Sequence, residues 1–255
     1  MKFLFSHRNY PGQFKHILLE LAKNKDNEIV FLTNKKINTK KFTILDNIKI
    51  ITYGLKREVP RNCHRYLRQF EEAIIHGQAA AEELIRLKNV GFIPDIMYAH
   101  FWGNSLFFKD IFPNTPLISY CEWYYNFEGS DIDFEKRKHA QELERNNGRN
   151  MPDYDKKARL RCDNSNFLLT MLSSDKLISP TVWQKEQFPN IFKDRIEVIH
   201  DGIDTEYFRP NPDIEFKIPN SDIVLGYQDE VLTYATRGME PYRGFPEFME
   251  ATCVL

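Results

Sequence analysis

KFLFSHRNYPGQFKHILLELAKNKDNEIVFLT, residues 2–33, contains the pattern from which the fold class follows. Lys2–Ser6 and Glu28–Thr33 are short apolar runs bounded by polar residues, which is typical of strands buried on both faces. Between them Pro11 stands where a helix would begin. Apolar residues then recur at helical spacing, at Phe14, Ile17, Leu18 and Leu21. Strand, helix and strand in this order predict two parallel strands joined by a helix.

The alternation of strands and helices continues along the chain. Further strands are predicted at residues 47–52, 95–100, 116–121, 176–179, 195–200 and 231–236. Helices are predicted at residues 61–88, 104–110 and 155–172 and from near Gly244 onward, and a polar stretch at 129–150 is predicted to be a solvated loop. The predicted fold class is therefore α/β, a Rossmann-like parallel sheet with helices on both faces.

The order of the elements also suggests a division into domains. Residues 1–208 are predicted to form one Rossmann-like domain. Residues 209–229 are predicted to be a linker, because three prolines fall within 209–222. A new strand and helix follow, so residues 230–255 are expected to begin a second domain of which only the start is present.

Composition excludes several classes of function. Lys and Arg total 35 and Asp and Glu total 36, so the net charge of −1 disfavours nucleic acid as a partner. The four cysteines form no CxxC motif, and no metal site is predicted. No apolar run approaches the ~18–20 residues that span a bilayer, and the first apolar stretch is too short for a signal peptide. We therefore expect a cytoplasmic protein.

Parallel sheets bind ligands beyond the carboxyl ends of their strands, so the residues that follow each strand are the candidates for a site. The loop after the first strand has only one glycine, Gly12, where a dinucleotide fold needs three, which disfavours NAD and FAD. The backbone amides of Gly12 and Gln13 at a helix start would favour an anion. The alternative is that Gly12 only shapes a tight turn.

Two later strand ends carry side chains suited to hydroxyl chemistry. His100 closes a predicted strand, where it fits acid–base or hydroxyl-binding work, or is a half-buried histidine among aromatic neighbours. Glu122 follows the next strand among aromatic residues, which suits a polyol because aromatic faces stack on sugar rings and a carboxylate accepts hydroxyl protons. The alternative for Glu122 is a structural ion pair.

The last two strand ends supply a turn and a pair of cations. Asp201 and Gly202 follow the strand at 195–200 and are predicted to lie at the cleft or hinge, unless the turn is purely structural. Arg237 and Arg243 follow the strand at 231–236, near a helix start. Two guanidinium groups could converge there on one diphosphate, or they could simply be solvated.

Taken together, these segments resemble the retaining glycosyltransferases of family 4, which have the two-domain GT-B fold. The matching segments are 10–14 (YPGQF), 27–33 (NEIVFLT), 120–125 (YCEWYY), 179–184 (SPTVWQ), 188–189 (FP) and 198–205 (VIHDGIDT). The first two resemble an FPGQF start and an HEVVFLT-like strand of one subgroup. The resemblance covers nearly the whole chain.

The resemblance implies roles for the candidates on the donor side. Gly12, with Gln13 beside it, corresponds to the loop glycine near the donor diphosphate. Arg237 corresponds to an arginine that contacts this diphosphate, and Arg243 stands where the family has a lysine. Arginine and lysine differ in geometry, so the contact made by Arg243 is left open.

On the acceptor side, the resemblance implies that His100 lines the same cleft and that Glu122 stands where many members have a histidine near the acceptor. The implied reaction moves a sugar from a nucleotide-diphosphate sugar to a hydroxyl of a glycan or lipid-linked acceptor, with retention and with no metal or cofactor. Such a reaction would serve polysaccharide or glycoconjugate synthesis. Peripheral contact with the inner face of the membrane stays open, because lipid-linked acceptors occur in the family.

In this family a second domain carries the nucleotide pocket and an E-x7-E element, which would lie beyond Leu255. The resemblance therefore predicts that the 255-residue chain is inactive by itself. Two other functions stay open at this point. The chain could be a non-catalytic domain that binds an acceptor or a partner, or part of a sugar-nucleotide epimerase with the same two-domain architecture.

Overall fold

The first two predicted strands form with the predicted bounds, as β1 (Lys2–Ser6) and β2 (Glu28–Thr33), in a computed structural model that describes residues 1–35, 45–130, 132, 153–239 and 241–254. Both strands are almost wholly buried, as their unbroken apolar sequences predict. They pair in parallel, with Leu4 opposite Val30.

Within the described residues, five further strands complete a seven-stranded sheet. They are β3 (Ile48–Thr52), β4 (Ile96–His100), β5 (Leu117–Tyr120), β6 (Lys176–Ser179) and β7 (Ile196–Val198). The strand order is β3-β2-β1-β4-β5-β6-β7, and every neighbouring pair is parallel. The α/β, Rossmann-like fold predicted from the sequence is confirmed.

Helices cover both faces of the sheet, as the alternation of side chains along β1 requires. Phe3 and Phe5 pack on one face with α1 (Lys15–Lys23), which follows a 3₁₀ turn at Gly12–Phe14. Leu4 packs on the other face with α2 (Arg68–Asn89) and α3 (Phe108–Ile111). Because successive side chains of a strand point to opposite faces, β1 contributes to the apolar core on each face of the sheet.

The later helices are α4 (Asp153–Asp163), α5 (Ser165–Ser173), α6 (Val182–Glu186) and α7 (Asn190–Lys193). A third apolar cluster includes residues of α5 and α7. Phe167 of α5 stacks on Phe101, whose ring centroid is 4.5 Å away, and Cys121 is buried in the same cluster.

Three of the predicted helices differ from the structure. The helix predicted to start at residue 61 starts at Arg68, because residues 61–67 are mostly charged or polar and form turns. The helix predicted at 104–110 is limited to α3. The helix predicted at 155–172 is broken at Asn164, whose side chain accepts a hydrogen bond from the Tyr125 amide (3.1 Å) and donates one to the Tyr125 carbonyl (2.8 Å).

The strand predicted at 195–200 is shorter than expected, and the region after residue 208 differs more. The predicted linker contains a small antiparallel hairpin of β8 (Glu215–Lys217) and β9 (Val224–Gly226). Residues 231–236 are not a strand, since within the described residues no strand pairs with them. The helix predicted near Gly244 is present as α8 (Phe245–Thr252). Most of the predicted loop at 129–150 lies outside the described residues, and the domain division stays a prediction.

Candidate functional site

The strand order creates a crevice between the ends of β1 and β4. From β1 the chain builds outward to β2 and β3, then returns to place β4 on the other side of β1. The loops after β1 and β4 therefore diverge in opposite directions and leave a gap at the carboxyl ends, which is where sheets of this kind bind ligands. His7 follows β1 directly and His100 ends β4, so both stand at this gap.

The two imidazoles are packed against each other. Their ring centroids are 4.9 Å apart and their planes are almost perpendicular, and both residues are buried. Burial, followed by the electrostatic effect of His100, lowers the pKa of His7 from 6.5 to about 4. Burial also lowers the pKa of His100. Both rings are therefore neutral at pH 7.

His100 holds the candidate acceptor residue Glu122. Its Nε2 lies 3.0 Å from Oε2 of Glu122, and since the carboxylate accepts, Nε2 carries the proton. Burial by itself raises the pKa of Glu122, but the hydrogen bond from His100, the largest of the opposing causes, brings it below its ordinary value. The Glu122 side chain keeps 29% of its surface exposed. The pair thus presents a fixed, partly exposed carboxylate at the crevice, where it can accept hydrogen bonds.

Glu122 is also held from the next strand–helix turn. Thr181 caps α6 by accepting a hydrogen bond from the Gln184 amide at 3.1 Å, the usual contact of a threonine at a helix N-cap. The Gln184 side chain does not turn back to the Thr181 amide. Its Nε2 instead donates to the backbone carbonyl of Glu122 at 2.9 Å. The SPTVWQ segment therefore supports the Glu122 loop, a link that spacing along the sequence did not reveal.

Gly12 and Gln13 belong to the same cluster. Gly12 has φ of +56°, and a β carbon at this position would stand 2.7 Å from the ring of His7. Glycine is required here because the histidine ring occupies the space of a side chain. The side chain of Gln13 faces both His7 and Glu122, because it raises the pKa of the first and lowers the pKa of the second. The structure thus brings Gly12, Gln13, His100 and Glu122 together, with His7 at their centre.

His7 was not among the residues singled out from the sequence. It directly follows the first buried strand, so the rule that was applied to His100 would also have selected it.

Asp201, predicted at the cleft or hinge, is tied to the end of β5. The hydroxyl of Tyr120 donates to both carboxylate oxygens of Asp201, at 2.8 and 2.9 Å. Burial and this bond raise the pKa of Tyr120. Gly202 has φ of +81°, and its amide donates to Nδ1 of His200 at 3.1 Å. This turn therefore crosses the same edge of the sheet as Glu122.

Arg237 and Arg243 lie in the C-terminal part of the chain. The guanidinium of Arg243 lies 5.3 Å from the ring of Tyr242, and its carbonyl accepts a hydrogen bond from Tyr234 at 2.9 Å. Within the described residues, no hydrogen bond or ion pair joins Arg237 to Gly12 or Gln13. The expected convergence of these residues on a diphosphate therefore stays a prediction.

Aromatic residues surround the cluster. Trp102 lies beside His100, with ring centroids 4.4 Å apart, and Trp123 and Trp183 form a pair 5.4 Å apart next to Glu122. Indole faces of this kind stack on the CH groups of sugars. In the described ranges, no three His, Cys, Asp or Glu side chains are arranged to hold a metal ion, and no helix there is both long and apolar enough to cross a bilayer.

Comparison with known proteins identifies a family. The model of the glycosyl transferase family 4 group matches residues 25–208. None of the curated proteins matches the sequence of the chain.

Three solved structures that resemble this chain contain UDP or a UDP sugar. The Anabaena protein Alr3699/HepE in complex with UDP is 14% identical, with 83% of this chain and 47% of that chain covered and a TM-score of 0.47. UDP-glucose: anthocyanidin 3-O-glucosyltransferase in complex with UDP is 12% identical, with 83% and 55% covered and a TM-score of 0.48. Phytolacca americana UGT2 with UDP-2fluoro-glucose and pterostilbene is 8% identical, with 71% and 46% covered and a TM-score of 0.42. The chain spans about half the length of these structures.

Proposed function

The chain belongs to the glycosyl transferase family 4 group, and from this premise we propose that it transfers a sugar from a nucleotide-diphosphate sugar to a hydroxyl of a glycan or lipid-linked acceptor. The bond between the anomeric carbon and the diphosphate breaks, the acceptor oxygen bonds to that carbon with retention, and the proton of the acceptor hydroxyl passes to the departing diphosphate. The observation that carries the proposal is the His100–Glu122 pair, held at the crevice between β1 and β4.

In this proposal Glu122 and His100 act on the acceptor. The carboxylate of Glu122 has one oxygen engaged by His100 and accepts the hydrogen bond of the acceptor hydroxyl with the other. His100 is a neutral donor that fixes the carboxylate, because burial lowers its pKa. An acceptor hydroxyl held in this way is oriented for attack before the donor arrives.

The donor diphosphate is proposed to lie over the loop after β1. The amides of Gly12 and Gln13 at a helix start favour an anion, and Arg237 and Arg243 would neutralise the leaving diphosphate, so that no metal or cofactor is needed. Polysaccharide or glycoconjugate synthesis is the proposed setting. Where the acceptor is lipid-linked, the enzyme would touch the inner face of the membrane from the cytoplasm.

We further propose that a donor domain completes the site, with residues 1–208 on the acceptor side, 209–229 as the connection and 230–255 as the start of the donor side. The C-terminal region leaves many large apolar side chains exposed, which supports a covering surface in the working enzyme. These include Ile203, Tyr207, Phe208, Phe216, Leu232 and Met239.

The test is release of nucleoside diphosphate from a panel of nucleotide sugars, with and without neutral glycoside acceptors. A full-length protein that contains residues 1–255 is expected to release diphosphate only when an acceptor is present. The 255-residue chain alone is expected to show no turnover.

Three results would contradict the proposal. If no nucleotide sugar releases nucleoside diphosphate, a non-catalytic binding domain is favoured. If the nucleotide sugar is converted without an acceptor, an epimerase is favoured. Transfer by residues 1–255 alone at the full rate would contradict the role of a second domain.

A further inference from the structure

A cavity of about 530 Å³ lies at the start of α2, between this helix, α4 and residues 55–65. Its volume is within the ~300–1,000 Å³ of typical ligand sites. Since α2 ends shortly before β4 begins, its start lies at the carboxyl edge of the sheet, as the His100–Glu122 pair does. We call this space the arginine cavity, because four arginines line it: Arg57, Arg65, Arg68 and Arg159.

The arginine side chains are within reach of a ligand. Arg57, Arg65 and Arg159 each keep more than half of their side-chain surface exposed. Arg57 and Arg159 contact their carboxylate partners through one nitrogen each, Nη2 and Nε, so other N–H donors of both groups stay available. Arg68 contacts the carbonyl of Pro60 at 3.4 Å and forms no ion pair within the part of the chain that the structure describes.

His76, which also lines the cavity, is a second and independent indication of a ligand. Its side chain is only 6% exposed, and its Nδ1 lies 3.1 Å from the hydroxyl of Tyr53. This hydroxyl has no other acceptor among the described residues, so it donates to Nδ1 and Nε2 carries the ring proton. Oε1 of Glu72 is 3.9 Å from Nε2, too far for a hydrogen bond. Nε2 is not one of the fully enclosed polar atoms, so a molecule in the cavity can satisfy this donor.

The carboxylates of the lining are mostly engaged. Glu72 lies 2.8 Å from Arg8, which stands outside the arginine cavity. Asp163 lies 3.5 Å from Arg159. The third carboxylate, that of Glu58, belongs to an exposed residue that can turn towards solvent. The groups left to meet a ligand are therefore mainly N–H donors.

The start of α2 adds to this excess of donors. The helix has 22 residues, and no side chain caps its first turn, whose residues Arg68 and Gln69 line the cavity. The partial positive charge of a helix start favours an anion. Guanidinium groups match the oxygens of a phosphate in geometry as well as in charge. The lining thus fits a phosphate better than a neutral group.

The arginine cavity is connected to the proposed reaction site. Gln69 and Glu72 also line a smaller cavity of about 190 Å³, whose wall includes Trp102. The ring of Trp102 lies 4.4 Å from that of His100, measured between centroids. A ligand whose sugar lies at the His100–Glu122 pair can therefore extend a charged group towards the arginines.

We propose that the acceptor carries a phosphate and that the arginine cavity binds it. Arg68 and Arg159 donate to the phosphate oxygens, and Nε2 of His76 donates to a third position on the same group. The phosphate belongs either to a soluble sugar phosphate or to a sugar joined through phosphate to a lipid. This inference rests on the proposed function and narrows its acceptor to a phosphorylated sugar.

The experiment measures binding to residues 1–255 by titration calorimetry, with no nucleotide sugar present. The probes are the 1-phosphates of glucose, galactose and mannose, with the corresponding methyl glycosides as neutral probes. At least one hexose 1-phosphate is expected to bind in a saturable way, about tenfold or more tighter than its methyl glycoside. Arg68→Gln keeps a polar side chain without the charge and should weaken this binding by about tenfold.

A matched control and a second variant complete the test. Arg86→Gln makes the same change near the other end of α2, where Arg86 is paired with Glu83 outside the cavity, and should leave binding unchanged. Arg159→Gln changes the α4 wall and should also weaken binding by about tenfold, even if Arg68→Gln fails to fold.

Three results would overturn the proposal. The first is that no hexose 1-phosphate binds up to about 10 mM, ten times a millimolar Kd. The second is that the methyl glycosides bind equally well. The third is that the folded Arg68 and Arg159 variants bind as tightly as the unaltered chain, which would place the phosphate elsewhere, such as over Gly12 and Gln13.

The decyl ester of the same hexose 1-phosphate separates the two sources of the phosphate. Binding of the ester that equals or exceeds that of the free monoester assigns the site to a lipid-linked acceptor. Tighter binding of the monoester assigns it to a soluble sugar phosphate. In both cases the Arg68→Gln variant is expected to lose about tenfold in affinity.

The full-length enzyme separates the phosphate site from the reaction. Hexose phosphates should be used with a kcat/KM about tenfold higher than methyl glycosides. Equal use of both would overturn the phosphate site and leave the transferase proposal standing. Hexose phosphate binding that depends on Arg68, in a protein that uses no nucleotide sugar, would contradict the transferase and leave the phosphate site standing.

Discussion

Gly12 shows how one backbone position shapes the crevice. Its positive φ and the ring of His7, 2.7 Å from where a β carbon would be, both exclude a side chain. We predict that Gly12→Ala destabilises the fold by about 2–5 kcal/mol. This is the sum of the cost of a left-handed backbone at alanine and the cost of overpacking against the His7 ring. The measurement is the free energy of unfolding in denaturant.

Gly91→Ala is the matched control for this prediction. Gly91 also has a positive φ, +83°, but no atom of the described residues lies within 4 Å of the place that a β carbon would take there. Gly91→Ala should lower the free energy of unfolding only by the cost of the left-handed backbone, about 1–2 kcal/mol. Equal losses in the two variants would show that His7 does not constrain position 12.

His7 makes stability depend on pH. Its pKa is about 4 in the fold, below the ordinary value of 6.5, because it is buried. The unfolded chain therefore binds more protons between pH 6.5 and 4, and stability falls as the pH falls through this window. We predict that His7→Gln flattens this fall by up to ~1.4 kcal/mol per pH unit, measured by unfolding at pH 7, 5.5 and 4.5. Parallel curves for both proteins would contradict the burial of a neutral ring.

Glu122 is the residue that distinguishes an acceptor site from a structural ion pair. In the full-length enzyme, Glu122→Gln should lower kcat/KM for the acceptor by about 10- to 100-fold, because a charge-assisted hydrogen bond of ~1.5–3 kcal/mol is lost. The KM for the donor should change little. Glu197→Gln, at an exposed position paired with Lys176, is the control. If acceptor and donor kinetics are both unchanged, Glu122 is structural.

At the scale of elements, the five-residue helix α6 supports the loop that carries Glu122. Its cap, Thr181, also donates to the Gln184 side chain at 2.7 Å, and this fixes the amide that holds the Glu122 carbonyl. A helix of this length has little stability of its own, so its cap and its contacts keep it in place.

We predict that Thr181→Ala lowers the free energy of unfolding by about 1 kcal/mol, the usual value of an N-cap. It should also raise the acceptor KM of the full-length enzyme, since Gln184 loses its partner. Thr181→Ser keeps the hydroxyl and should restore both quantities. A loss of stability with an unchanged acceptor KM would confine Thr181 to the cap.

At the scale of the whole molecule, the sheet brings together loops that are distant in sequence, while the C-terminal region contributes the predicted cations. We predict that Arg237→Ala in the full-length enzyme lowers kcat/KM for the donor by about 10²–10³, as for other groups that stabilise a developing charge. Arg209→Ala, at an exposed position in the predicted linker, serves as the control. If Arg237→Ala has the same donor kinetics as the unaltered enzyme, Arg237 is not part of the donor site.

The sequence by itself determined that a parallel sheet forms and where most of its strands lie. The bounds of β1, β2 and β6 were predicted to the residue, because a buried strand needs an unbroken apolar run and its end is marked by polar residues. Strand ends then identified Gly12, His100 and Glu122 as candidates. Predictions failed where contacts with other parts of the chain determine the local structure. Residues 231–236 are apolar but have no strand to pair with among the described residues. Asn164 interrupts a predicted helix because its side chain forms hydrogen bonds with the backbone of Tyr125.

Only the tertiary structure decided which candidates meet. Strand order puts His7 against His100, and the helix α6 turn puts Gln184 against Glu122, although these pairs are far apart in sequence. The spacing of apolar residues indicates which face of a helix or strand is buried, but not which other element covers that face. Contacts of that kind depend on how the whole chain packs, so they were visible only in the fold.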